Sequence, residues 1–252
     1  MCKQAGNRGK THRLAGFTLV ELLVVISIIS MLMSILLPGL SRSRELGQRV
    51  HCMSNLRQLT MAWYFYAQDY EDKPCSAGTL WNDFWGSNYW VADGPDWPGN
   101  DIGNTGQAIQ DGVLWPYTME TSGLYKCKSE HSDFLRNYSL SGGVVAGLDN
   151  IPRPSRKMIF VDAGSNWQWI HQSYRPLEYD NGRWEWKPWD CCHQQQITAR
   201  HNGGCNMSFA DFHCEYFRWK DPRTVKFANR EISAEEASDN NLDVDRLLEV
   251  LK

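Results

Sequence analysis

Residues 17–37 read FTLVELLVVISIISMLMSILL, a run of 21 residues in which Glu21 is the only formally charged side chain. A helix rises 1.5 Å per residue, so this segment spans roughly 30 Å, about the hydrocarbon thickness of a bilayer. The run is too long for the apolar core of a typical secretory signal peptide, and no small-residue cleavage site follows it. The sequence therefore predicts a transmembrane helix over about residues 17–37.

The residues on both sides of this segment extend the prediction. Residues 1–16 carry four basic and no acidic side chains, which favours the cytoplasmic side of a membrane. Three arginines between residues 42 and 49 follow the span on its other side, so charge alone gives only a modest preference for orientation. Beyond Pro38, apolar residues recur at spacings of three and four as far as Trp63, which predicts one helix over 17–68.

The composition of the whole chain excludes several classes of protein. Hydrophobic residues make up 42% of the 252 residues and charged residues 22%, values that argue against disorder across the chain. The net charge of −3 gives no reason to expect nucleic acid as a partner. A globular part is therefore expected after the apolar segment.

Turns and short strands dominate the sequence after the predicted helix. Turn signals are dense over residues 70–113, and strand-like runs follow at 157–162, 183–187, 205–209 and 213–217. A long helix followed by antiparallel strands predicts an α+β fold in which the helix packs on one face of the sheet. The last two runs flank a short turn and predict a hairpin.

Four segments follow from these patterns. They are a leader over 1–16, a long helix over 17–68, an α+β domain over 69–220 and a charged carboxy-terminal extension over 221–252. Within the extension, Ser233 and Glu236 have the spacing of a capping box, and the apolar spacing up to Leu251 predicts a short amphipathic helix.

The start of the apolar run, Gly16-Phe17-Thr18-Leu19-Val20-Glu21, resembles the processing signal of type IV pilins and type II secretion pseudopilins. The resemblance implies that prepilin peptidase cleaves between Gly16 and Phe17 and that the new amine of Phe17 is methylated. Glu21 would then be the fifth mature residue and Pro38 the twenty-second, as in that family. The resemblance also implies a pilin-like fold in a single-pass inner-membrane protein, with the leader in the cytoplasm and the carboxy-terminal domain in the periplasm.

The same resemblance implies the partners of the chain. These are the membrane, prepilin peptidase, an inner-membrane assembly platform and other pilin or pseudopilin subunits in a homo-oligomeric filament. A carboxylate within an apolar run needs a partner, and Glu21 would pair with the methylated amine of a neighbouring subunit. The simpler alternative is a plain membrane anchor that tolerates Glu21 near the interface.

A second resemblance lies in the predicted hairpin. The run RHNGGCNMSFAD, residues 200–211, resembles the H-x9-D-G signature of pilin-like proteins of planctomycetes and verrucomicrobia. Phe212 stands where that signature has Gly, the residue expected where a positive φ is needed. His201 and Asp211 either brace the hairpin by hydrogen bonds or form a metal or acid–base pair, as a membrane-tethered hydrolase would require. No nucleophile lies in an active-site signature, so we expect a protein that is not an enzyme.

Cysteine usage points to disulfides. Removal of the leader takes Cys2 from the eight cysteines and leaves seven, an odd number, so at least one is free or pairs between chains. No C-x2-C knuckle accompanies Cys191-Cys192-His193, and disulfides are favoured over zinc outside the inner membrane. The connectivity stays open among Cys52, Cys75, Cys127, Cys191, Cys192, Cys205 and Cys214.

The sequence leaves the ligands of the chain open. No cofactor is expected. Calcium stays open because the resembled major type II pseudopilins bind it. The sequence has no EF-hand pattern, and the candidate oxygen ligands are Asp72, Asp83, Asp93, Asp96 and Asp101. Tryptophans cluster over 81–97 and 167–189. They either fill the core or form a stacking surface, and the latter would make the chain an anchored binding module for polysaccharide or a secreted substrate.

Overall fold

The computed structural model describes residues 18–75, 88–91, 106–130, 135–141, 147–163, 173–174, 177–180, 183–186 and 197–251. The chain divides into two compact units, residues up to Arg44 and residues from Glu45 onward, and one helix crosses that division. The leader and the junction between Gly16 and Phe17 lie outside the described residues.

The helix α1 runs over Leu19–Asp69 and has 51 residues, which confirms the predicted long amino-terminal helix. In the first unit its apolar side chains, from Leu19 to Leu40, are exposed. α1 is the one helix among the described residues that is long and apolar enough to cross a membrane. Pro38 lies inside α1, so the helix continues through the loss of one backbone hydrogen bond.

In the second unit α1 buries one face against the domain. Cys52, Leu56, Leu59, Trp63 and Tyr66 are buried and follow one another at spacings of three and four. Residues with that spacing lie on the same side of a helix. This buried part of α1, which lies within residues 52–67, packs with the sheet in one hydrophobic core.

The sheet confirms the α+β prediction. Its strands are β1 (Tyr138–Ser141), β2 (Met158–Asp162), β3 (Ser173–Tyr174), β6 (Gly204–Phe209) and β7 (Cys214–Arg218), in the order β3-β1-β2-β6-β7. The pairs β1–β2, β2–β6 and β6–β7 are antiparallel, whereas β3 runs parallel to β1. A separate hairpin joins β4 (Leu177–Asp180) to β5 (Arg183–Trp186). The strands predicted at 157–162, 183–187, 205–209 and 213–217 thus match observed strands closely.

Short helices complete the domain, and three of them cover a second core. α2 (Gly106–Gln110) and the 3-10 turns at Pro116–Thr118 and Ser122–Tyr125 lie between α1 and β1 along the chain; α3 (Pro222–Ala228), α4 (Ala234–Ser238) and α5 (Leu242–Leu251) follow β7. Phe227, Ala237 and Leu247 from these last helices pack with Val161 and Met207 of the sheet. The carboxy-terminal segment therefore contributes buried apolar area to the domain.

Two local predictions can be compared directly with the structure. Ser233 and Glu236 form the predicted capping box at the start of α4, with both backbone-to-side-chain hydrogen bonds present. Phe212, in the hairpin turn, has φ +69°, so the turn keeps the positive φ although Gly is absent. The Phe212 ring meets Tyr64 of α1 edge to face, with centroids 5.2 Å apart, a contact that offsets part of the backbone strain.

Candidate functional site

The first turn of α1 places Glu21 in a local hydrogen-bond pair with Thr18. The Thr18 backbone N–H and Oγ1 donate to Glu21 Oε2 at 2.8 Å and 2.7 Å, and the Glu21 N–H donates to Thr18 Oγ1 at 3.3 Å. This reciprocal arrangement is a capping box. Glu21 thus accepts, through Oε2, the hydrogen bonds that cap the start of its own helix. Its other oxygen, Oε1, accepts none of the hydrogen bonds found in the described residues.

Sequence reasoning missed the role of Thr18, although the T-x-x-E spacing of a capping box was readable at this point. The omission matters for function because Glu21 has two separable properties. Its side chain caps α1, a role that an amide can also fill, and it carries a negative charge, which an amide lacks.

A second candidate site lies inside the domain and is called the His201 cluster. It consists of Cys52, Cys127, Asp162, Arg200 and His201. Cys52 comes from the buried face of α1, Cys127 follows the 3-10 turn that ends at Tyr125, and Asp162 ends β2. Arg200 and His201 lie in the turn before β6. Cys52, Cys127, Asp162 and His201 are fully buried.

Short distances join the members of the His201 cluster. Cys52 Sγ lies 2.7 Å from Cys127 Sγ, and Cys127 Sγ lies 3.3 Å from His201 Nε2. The opposite ring nitrogen, His201 Nδ1, lies 3.2 Å from Glu45 Oε1. The two sulfurs and the imidazole form a group whose candidate ligand atoms all lie within 4.8 Å of one another.

Charge pairing holds the remaining cluster members in place. Arg200 donates to Asp162 Oδ1 in a short ion pair and to Glu130 Oε2 at 2.5 Å. Asp162 Oδ2 accepts no hydrogen bond from the residues that the structure describes, and it lies 3.0 Å from His201 Nε2. The Asp162 carboxylate is thus buried between two cationic groups, as a buried charge requires.

The environment shifts the pKa values of the histidine and the thiols. Burial alone would lower the pKa of His201, but the Asp162 carboxylate and Cys52 together raise this pKa to about 10. In the dithiol form, the hydrogen bond from Cys127 lowers the pKa of Cys52 to about 5, while the pKa of Cys127 is raised. In the dithiol form, Cys52 is therefore the more acidic of the two thiols, and its sulfur lies in one group with Cys127 and the imidazole.

The two residues of the H-x9-D-G-like motif have separate partners. His201 pairs with Asp162 and Glu45, whereas Asp211 pairs with His213 at the hairpin turn. Within the described residues, no hydrogen bond or ion pair joins His201 to Asp211. Because the His201 side chain is fully buried, this geometry gives no support to an exposed acid–base pair of the kind a hydrolase needs.

The other predicted site residues are dispersed. Cys75 and Cys205 are buried, and Cys214 Sγ lies 3.3 Å from the carbonyl oxygen of Met53. Cys191 and Cys192 lie outside the described residues, as do Asp83, Asp93, Asp96, Asp101 and most of the two tryptophan clusters. Trp90 is fully buried and packs edge to face on Phe160, so this tryptophan is a core residue.

Two comparisons with known proteins found a match to this chain. Residues 12–37 match the family model for the prokaryotic N-terminal methylation motif. The competence protein ComGC of Halalkalibacterium halodurans is 32% identical over 69 residues, which cover 27% of this chain and 68% of that protein. No solved structure matches the chain.

Proposed function

This chain belongs to the type IV pilin-like proteins, and we propose that it is a structural subunit of a filament, either a type II secretion pseudopilus or a type IV pilus-like fibre. Prepilin peptidase removes residues 1–16, and Phe17 becomes the methylated amino terminus. The inner-membrane assembly platform then joins the subunit to other pilin-like subunits. The domain from Glu45 onward lies in the periplasm before assembly.

The observation that carries this proposal is the exposed apolar part of α1, which overlaps the matched methylation motif. Apolar side chains from Leu19 to Leu40 are exposed in the single chain. Water would make such a surface strongly unfavourable. Lipid covers it before assembly, and the apolar helices of neighbouring subunits cover it in the filament.

Glu21 gives the assembly step its specificity. In the filament, its carboxylate loses contact with water, and an ionised group in such surroundings needs a partner of opposite charge. The methylated amine of Phe17 in a neighbouring subunit supplies that charge. The capping hydrogen bonds use Oε2, and Oε1 is the acceptor left for the amine.

Three variants separate the charge of Glu21 from its capping role. Glu21→Gln keeps a capping side chain but loses the charge, Thr18→Val keeps the charge but loses the capping hydroxyl, and Glu21→Ala loses both. We expect Thr18→Val to assemble and the two Glu21 variants to fail. The measurement is the yield of sheared, sedimented filaments at matched membrane levels and matched cleavage.

The pattern among the variants decides the mechanism. Filaments of Glu21→Gln at the wild-type yield would show that capping is sufficient and would overturn the charge-pairing mechanism. Normal assembly of Glu21→Ala would show that neither the charge nor the capping side chain of Glu21 is needed for assembly.

A further inference from the structure

We propose that Cys52 and Cys127 form a disulfide bond that fastens the buried part of α1 to the segment preceding β1. The bond joins residues 75 positions apart in sequence. The inference rests on the proposed function, because that function places the domain outside the inner membrane, where disulfides form and persist.

The geometry of the two sulfurs supports the bond. The Sγ atoms of Cys52 and Cys127 lie 2.7 Å apart, and an approach of about 0.7 Å brings them to bonding distance. Cys75 and Cys205 are equally buried, yet among the described residues neither has a cysteine sulfur within hydrogen-bond distance. Among the described cysteines, Cys52 and Cys127 are therefore the pair whose sulfurs lie close enough to bond.

A structural zinc ion is the competing occupant of the His201 cluster. Two thiolates bound to tetrahedral zinc at about 2.3 Å stand about 3.8 Å apart, so the sulfurs would have to separate by about 1 Å. Structural zinc also needs four ligands, whereas the described part of the chain brings together three candidate ligands, Cys52, Cys127 and His201. The distances thus favour the covalent bond.

The covalent step is a thiol–disulfide exchange with a protein or small-molecule disulfide as the oxidant. The Cys52 thiolate attacks one sulfur of that disulfide, forms a mixed disulfide and releases one thiol. Cys127 then loses its proton and attacks the Cys52 sulfur, which releases the second thiol. The two cysteines lose two electrons and two protons in total, and the oxidant is reduced to two thiols. Because both sulfurs are fully buried, the exchange takes place while the domain folds.

His201 is the positioning residue for this step. Its Nε2 lies 3.3 Å from Cys127 Sγ and 3.0 Å from Asp162 Oδ2, while Glu45 faces Nδ1. An imidazolium held in this way stabilises the Cys127 thiolate that closes the bond in the second step, once folding has brought the two residues together. We expect His201→Gln to slow formation of the bond in a glutathione redox buffer by about tenfold or more, with the same final product.

The decisive experiment maps the cysteines of the full chain from native membranes. Thiols are blocked with an alkylating reagent during lysis in denaturant, which exposes the buried cysteines, and the peptides are analysed without reduction. We expect a linked Cys52–Cys127 peptide and an alkylated Cys75. Cys75→Ala is the matched control because it removes a buried cysteine of the same core, and it should leave the link intact.

Thermal unfolding of the purified full chain in detergent gives an independent measurement. Reduction should lower the melting temperature of the wild type and of Cys75→Ala by roughly 5–10 °C. Reduction should leave the double variant Cys52→Ala/Cys127→Ala unchanged.

The amino terminus is read in the same membrane sample, so the two proposals fail in different ways. A chain cleaved after Gly16 whose Cys52 and Cys127 are both alkylated overturns the disulfide and leaves the filament role standing. Stoichiometric zinc with both thiols reduced overturns it in favour of a metal site. A chain that keeps residues 1–16 and has free thiols overturns the filament role and the disulfide together.

Discussion

Replacement of Arg200 by Met tests the charge balance of the His201 cluster. The Arg200 side chain is 8% exposed and pairs with Asp162, which is fully buried, and with Glu130, which is 15% exposed. Arg200→Met leaves both carboxylates without this cation. Removal of one member of a buried ion pair costs about 3–5 kcal/mol. His201 remains 3.0 Å from Asp162, so we expect the lower limit, about 3 kcal/mol.

The predicted cost converts to a measurable change in melting temperature. For a domain of 150–250 residues, each kcal/mol lowers the melting temperature by about 2–4 °C, so Arg200→Met should lower it by roughly 6–12 °C. The assay is thermal unfolding of the full chain in detergent, followed by near-ultraviolet circular dichroism. Lys73→Met is the matched control, because Lys73 pairs with Glu71 on the surface, and it should have little effect. A fall of less than about 2 °C for Arg200→Met would refute the reasoning about the buried ion pair.

Two further predictions concern the hairpin turn and the pH dependence of stability. Phe212→Gly removes the strain of a positive φ, whereas Phe212→Ala keeps that strain. Both variants lose the contact with Tyr64. The free energy of unfolding in urea should therefore be about 1 kcal/mol higher for the Gly variant than for the Ala variant. Equal stability of the two variants would contradict the turn geometry. With Cys52 and Cys127 reduced, the pKa of His201 is raised to about 10, above the unfolded value of about 6.5. Its contribution to stability is therefore complete below pH 6.5 and is lost as the pH rises towards 10, with a slope of at most about 1.4 kcal/mol per pH unit. His201→Gln should flatten that slope in pH-dependent unfolding, and an unchanged slope would exclude His201 as its source.

The features that the sequence predicted well depend on neighbours along the chain. The length and composition of the apolar run predict α1, and the strand-like runs on both sides of Ala210-Asp211-Phe212 predict the hairpin of β6 and β7. The capping box at Ser233 is likewise a local pattern, and Thr18 with Glu21 carries the same pattern at the start of α1. Local spacing determines these structures because helix and capping hydrogen bonds join residues three or four positions apart, and the hairpin pairs two strands that are adjacent along the chain.

The His201 cluster could not be predicted in the same way. Its contacts join residues 38 to 75 positions apart in sequence, and no spacing rule relates Asp162 to Arg200 or Cys52 to Cys127. The motif suggested Asp211 as the partner of His201, yet the sheet register brings Asp162 to the imidazole instead. The carboxy-terminal helices show the same limit, because an amphipathic pattern indicates an apolar face but does not identify the surface that covers it.

The amino terminus of the mature chain tests the filament-subunit account most directly. The measurement is intact-mass and peptide mass spectrometry of the chain from membranes of cells with active prepilin peptidase, beside a Gly16→Val variant that should block cleavage. The account predicts a wild-type chain that begins with N-methylated Phe17 and lacks residues 1–16, and a variant that keeps its leader. A wild-type membrane form that begins at Met1, or one cut at another position, would contradict it.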